Sequence, residues 1–272
     1  MEKNIKKLEK IARKVRRDII EMIFEANSGH PGGSLSCVDI LTTLYFSELN
    51  INPEKPKDEN RDRFVLSKGH AAPALYSILA NRGYFDEKLL KTLRQYGSIL
   101  QGHPDMKKVP GIDMSTGSLG QGLSVANGMA LAGKVSNKDY RVYIIMGDGE
   151  QQEGQIWEAA MTSAHYKLNN LCAFIDLNNL QIDGEVDKVM GIEPIVDKWK
   201  AFGWNVLQID GHNFQQIFDA LEKAKKEKEK PTVIVAKTVK GKGVSFMENV
   251  CGFHGTAPTL EEKNRAIAEL LD

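Results

Sequence analysis

The 272-residue sequence has few of the features that most directly betray a protein's class. Its three cysteines, Cys37, Cys172 and Cys251, are far apart and without metal-ligand spacing, which excludes a disulfide framework or a cysteine-built zinc site and leaves reduced thiols as the expectation. Cys172 falls in an apolar run and reads as core; Cys251 stands close to Phe253-His254 and could line a site by position alone. There is no excess of charge, with 36 Lys plus Arg against 36 Asp plus Glu, so no net field points to a nucleic-acid partner. No apolar run approaches the ~20 residues that cross a bilayer, and no h-region follows the basic start. That start, Lys3 to Arg17, spaces Ile5, Leu8, Ile11, Ala12 and Val15 as one face of an amphipathic helix. No internal repeat or domain boundary is visible, and residues 1–272 read as a single soluble, cytoplasmic domain.

What is present is an alternation of short apolar runs with helical patterns. Strands are expected at Phe64–Ser67, Val142–Met146, Leu171–Asp176, Val206–Ile209 and Thr232–Lys237. Helices are expected near Asp39–Leu49, Ala72–Arg82, Glu87–Tyr96, Leu119–Val135, Gln155–Tyr166, Phe214–Lys228 and Leu260–Leu271, with Asn213 as an N-cap. Such alternation predicts an α/β fold, a mostly parallel sheet with helices on both faces. Three Gly- and Pro-rich stretches, 28–33, 102–117 and 240–255, are long for simple connections and are the places to look for function.

The most specific pattern is Gly147-Asp148-Gly149-Glu150, then 27 residues, then Asn178-Asn179 and Ile182-Asp183-Gly184. Each half follows an apolar run, so two neighbouring parallel strands would set Asp148 and Asn178 side by side at their carboxyl ends, where open α/β sheets keep their ligand crevice. One carboxylate, one amide oxygen and a nearby backbone carbonyl are hard donors suited to Mg²⁺ completed by phosphate oxygens. The plainer alternative is a strand-end turn whose Asp and Asn bond only backbone. Four of the six histidines, His30, His70, His103 and His254, adjoin a glycine in an expected loop, whereas His165 lies in a helix and His212 before a cap. A cluster of groups that titrate near neutrality suits proton traffic.

Taken together, Ser28-Gly29-His30-Pro31-Gly32, Ser67-Lys68-Gly69-His70, Gly102-His103-Pro104, Thr116-Gly117-Ser118-Leu119-Gly120-Gln121-Gly122, the Asp148/Asn178 pattern and Phe253-His254-Gly255 resemble the N-terminal, thiamine diphosphate-binding part of transketolase over residues 10 to 255. The resemblance implies that Asp148, Asn178 and the Leu180 carbonyl hold Mg²⁺, or another divalent ion such as Ca²⁺ or Mn²⁺. It places Gly149, His70 and His254 at the diphosphate, the Gly117 carbonyl and Leu119 beside the rest of the cofactor, and Ile182 on the thiazolium ring. His30, His103 and His254 become the catalytic histidines, with His30 and His103 facing the substrate's hydroxyls and oxyanion. Glu153 and Glu158 would join a proton-linked acidic cluster at a subunit interface. Cofactors of this kind carry the difficult bond chemistry while the protein supplies donors and orientation.

Transketolases with both halves in one polypeptide are more than twice as long, and their second half binds the aminopyrimidine. The resemblance therefore implies the N-terminal subunit of a split enzyme, acting on sugar phosphates in the pentose phosphate pathway, paired with a C-terminal partner chain in an α2β2 heterotetramer. Three other readings stand beside it. They are the alpha subunit of a 2-oxo acid dehydrogenase first component, a split ketolase for an unusual sugar, and a non-catalytic relative that kept the fold.

Overall fold

The computed structural model describes residues 4–271, so Lys3, at the start of the expected first helix, lies outside the described residues. The main sheet has five parallel strands, in the spatial order β1 (Arg63–Leu66), β2 (Val142–Gly147), β3 (Leu171–Leu177), β7 (Thr232–Lys237), β6 (Asn205–Asp210). These are the five strands expected from sequence, to within a residue or so at each end. A two-residue antiparallel pair, β4 (Leu180–Gln181) and β5 (Gly184–Glu185), follows β3.

Period-two alternation decides which side chains go where. Tyr143, Ile145, Cys172, Phe174, Ile234 and Ala236 point into one core with α1 (Ile5–Ala26), α2 (Pro31–Ser36), α3 (Val38–Thr43), α4 (Ala72–Arg82), α9 (Phe214–Lys226) and α10 (Leu260–Glu269). Val142, Ile144, Met146, Ala173, Ile175, Val233 and Val235 point into a second core with α5 (Gln121–Val135), α6 (Gly154–His165), α7 (Val186–Met190) and α8 (Ile195–Ala201). Helices thus cover both faces. Cys37 and Cys172 are buried, Cys251 is half-buried, and all three thiols are free. Asn213 caps α9 by accepting from Gln216 N at 3.1 Å.

Several helix bounds differ from expectation. Helix was expected from Asp39 to Leu49, but it starts at Pro31, whose fixed φ suits a first turn, breaks at Cys37, and ends in a wider turn over Leu44–Glu48. The expected helix Glu87–Tyr96 is only a tight 3₁₀ turn over Glu87–Thr92, because Arg94 turns into the left-handed region (φ 59°) and its N–H bonds Leu100 O at 2.7 Å. Gly120, also left-handed at φ 82°, delays α5 to Gln121. Helices α7 and α8 were not foreseen.

Candidate active site

Because all five strands run the same way, the loops after β1, β2, β3 and β7 meet at one edge and enclose a cavity of about 290 Å³. It is lined by His30, His70, Gly117, Leu119, Asp148, Gly149, Glu153, Asn178, Leu180, Ile182 and His254, eleven residues singled out from sequence. His103 stands just outside: it is exposed, but a Cβ on Gly117 would meet its ring at 3.0–3.1 Å, so it borders the same loop. Glu158 lies exposed on α6 and does not line the cavity.

One wall is carboxylate and amide. The register Gly147↔Asp176 carries Asp148 one residue past β2, opposite the end of β3. Asn179 takes φ 63°, which turns the chain so that the N–H groups of Asn178 (2.9 Å) and Asn179 both reach Asp148 Oδ2, while Gly149 N bonds Oδ1 at 2.7 Å. The side chain accepts only backbone N–H groups, as the plainer turn reading had it. Burial, and then the neighbouring Asp176, push its carboxyl up to about 6. Asn178 Oδ1 accepts from Leu180 N at 3.2 Å and the Leu180 carbonyl from Lys240 Nζ at 2.9 Å, and each oxygen keeps a second lone pair. Among the described residues, no three His, Cys, Asp or Glu side chains form a metal-holding group. A divalent ion on this wall would therefore need oxygens from a ligand, and one carboxylate with two neutral oxygens fits a cation that arrives with a diphosphate.

The opposite wall is basic. The rings of His30, His70 and His254 stand 5.3–5.4 Å apart, centroid to centroid. Burial and then Arg94 lower His30 to about 4, and burial and then Lys240 lower His254 to about 4. His70 is held well below its ordinary range by burial and then Lys68. Lys240, buried at 2% exposure, donates to the Leu180 carbonyl and to His254 Nδ1 at 2.9 Å. A charged lysine has no acceptor, so Nδ1 accepts and neutral His254 carries its proton on Nε2.

Beneath this wall, Lys68 and Asp176 form a fully buried pair completed by Ser36 Oγ (2.6 Å), Thr238 Oγ1 and the Gly33 carbonyl (2.6 Å). Glu150 fastens the loops: its carboxylate accepts from Ser67 Oγ, Gly120 N (2.8 Å) and Gly147 N (3.0 Å). Buried Tyr76 donates to the carbonyls of Gln101 (2.8 Å) and His103 (2.9 Å), fixing the loop that presents His103. Gly69 is required by close approach, since a Cβ there would sit 2.8 Å from the Thr116–Gly117 backbone. Sequence reasoning gave no role to Lys240, Glu150 or Arg94. Lys240 opens the Gly-rich 240–255 stretch and Glu150 closes the Gly147 motif, so both belong to segments whose pattern pointed to function; nothing in the sequence marked Arg94.

Comparison with known proteins identifies the family of the chain. The transketolase thiamine diphosphate binding domain family matches residues 7–270. A relative from Phocaeicola vulgatus, named as one subunit of an apulose-4-phosphate transketolase, is 46% identical over 266 residues, spanning 98% of this chain and 94% of its own. Another, the 6-deoxy-6-sulfo-D-fructose transketolase subunit of a Clostridium species, is 49% identical over 256 residues, 94% of this chain and 93% of its own. The crystal structure of Campylobacter jejuni transketolase superposes with a TM-score of 0.93 at 37% identity, covering 98% of this chain but 43% of that one. The transketolase reading of the chain therefore stands over a 2-oxo acid dehydrogenase component or a non-catalytic relative, and the chain belongs to the transketolase family, of which it carries the thiamine diphosphate binding domain.

Proposed function

We propose that this chain is the N-terminal subunit of a two-chain transketolase that moves a two-carbon ketol unit from a ketose phosphate to an aldose phosphate. The observation that carries the proposal is the pairing of walls in one cavity: hard oxygen donors on one side, imidazoles and a buried ammonium on the other. Thiamine diphosphate, when bound, supplies the carbon nucleophile. Asp148, Asn178 and the Leu180 carbonyl would hold Mg²⁺ or a like ion, Gly149 and His70 would meet the diphosphate, and Lys240 would add positive charge there. Gly117, Leu119, Glu153 and Ile182 lie where the remainder of the cofactor would pass. His30, His103 and His254 would orient the sugar and donate to the oxygen on which negative charge develops, the form of stabilisation that usually contributes most to lowering such barriers.

Relatives named as subunits of two different transketolases match this chain nearly end to end, which supports a second, C-terminal chain that completes the site. A two-fold arrangement of both chains, α2β2, suits a cavity open at the sheet edge. On the donor sugar, the names of these relatives favour a less common ketose over an ordinary pentose phosphate, either an apulose phosphate or a fructose in which a sulfonate stands in place of the phosphate. The test is to mix this chain with the product of a neighbouring gene resembling the second half of transketolase, add Mg²⁺ and thiamine diphosphate, and assay ketol transfer from each donor. Turnover is expected only from the mixture; full turnover by this chain alone, or none with any ketose, overturns the proposal.

A further inference from the structure

The left-handed bend at Arg94 carries its side chain back to the rim of the cavity. There Nη1 donates to Ser28 Oγ at 2.7 Å, and Nη2 lies 3.5 Å from His30 Nδ1. Nε is buried without a partner, and a Cβ on Gly102 would meet the guanidinium at 3.1 Å, so the backbone leading to His103 closes over it. A guanidinium carries five N–H donors and no acceptor, and it does not deprotonate in proteins. The His30 nitrogen that faces it can therefore only accept, and a neutral ring that accepts at Nδ1 keeps its proton on Nε2. The other edge of the ring, Cδ2 and Nε2, lies 3.6–3.7 Å from where a Cβ on Gly255 would stand, on the far side from Arg94. A buried, unpartnered Nε is unfavourable, and only one of the guanidinium's hydrogen bonds is short; packing alone does not account for an arginine here.

We propose that Arg94 is a positioning residue that locks His30 as the Nε2–H tautomer, so that the neutral ring presents a hydrogen-bond donor at Nε2. Use of that donor by a sugar oxygen rests on the ketol-transfer reading; the tautomer itself does not. The other charged or titratable groups facing His30 are His70, His254, His103 and Lys240; Lys240, and His103 when it carries a proton, oppose a further positive charge on the ring, while His70 and His254 are themselves neutral neighbours.

The test is ¹⁵N NMR of the histidine-labelled chain, with His30→Gln to assign the signals. In the wild type, His30 Nδ1 is expected at the position of an unprotonated acceptor, Nε2 at that of N–H, and the ring to titrate near 4. Arg94→Met should mix the two tautomers and raise the midpoint part of the way to 6.5, burial accounting for the remainder. Arg94→Lys, which restores a cation without the planar fork, should fall between. A wild-type Nδ1–H tautomer, or an unaltered His30 spectrum in Arg94→Met, overturns the proposal, and the wild-type measurement decides even if that variant does not fold. With the C-terminal partner present, Arg94→Met should lower kcat while leaving thiamine diphosphate affinity unchanged. A shifted tautomer with unchanged kcat supports the tautomer and removes His30 from the ketol-transfer scheme.

Discussion

Asp176 and Asp148 close neighbouring strands, β3 and β2, and are 0% and 3% exposed, but their surroundings differ. Asp176 faces the Lys68 ammonium and two hydroxyls, and these hold its carboxyl below the ordinary range despite the opposing effect of burial. Asp148 has backbone N–H groups only, and it rises to about 6. The first is electrically complete within the chain; the second is a carboxylate that burial has left short of positive charge. The histidine wall is unbalanced in the opposite sense, its imidazoles held neutral in a cavity that already contains Lys240. A ligand that brings a cation to Asp148 and an anion to Lys240 and His254 corrects both at once, which is what an ion-bound diphosphate does.

The largest effect should come from breaking the complete pair. Lys68→Met leaves Asp176 buried and unpaired, and urea unfolding should show a loss of about 3–5 kcal/mol. Asp148→Ala should behave differently. Relief of a carboxyl raised by about 2 units, worth up to ~3 kcal/mol at neutral pH, offsets the loss of its hydrogen bonds at ~1 kcal/mol each. The ion-free variant should therefore unfold within ~1 kcal/mol of wild type; a loss as large as that of Lys68→Met would show that the two aspartates are alike.

A pH series probes the same contrast between the walls. His30 and His254 fold with values near 4 against 6.5, so their contribution to stability is complete above 6.5 and is lost as pH falls to 4. Asp148, near 6 against 3.8, contributes fully below 3.8 and loses that contribution as pH rises through 6. His30 and His254, with His70 and His103 lowered in the same sense, outweigh Asp148 and the likewise raised Glu150, so the melting temperature of the ion-free chain should rise between pH 4 and 6. His254→Gln should flatten that slope and Asp148→Asn steepen it; the reverse order would contradict the assignment. The smallest effect is expected at Ile182, 68% exposed on the cavity wall. Ile182→Ala should change the stability of the isolated chain by no more than ~0.5 kcal/mol, so any cost would appear in cofactor affinity.

The central sheet was legible because each strand is a short apolar run bounded by polar or glycine residues, and Asp148 and Asn178 were legible because they follow two such runs at once. Arg94 was not. Its role depends on a left-handed bend in a segment whose pattern reads as helix through Tyr96, and on Ser28 and His30, more than sixty positions away. Lys240 opens a Gly-rich stretch that singled out the segment but not this residue, and only the approach of Leu180 and His254 shows it buried. Local periodicity records burial along one element; it does not record which loops meet.

If Asp148 is the half of the contrast left short of charge, it should take up a cation only together with the diphosphate that brings it. Calorimetric titration of thiamine diphosphate into the chain and its C-terminal partner, in Mg²⁺ and then in chelator, measures this coupling. Binding is expected with Mg²⁺, with no binding in chelator or for Asp148→Ala under either condition; equal affinity with and without the ion, or an unchanged Asp148→Ala, would contradict it.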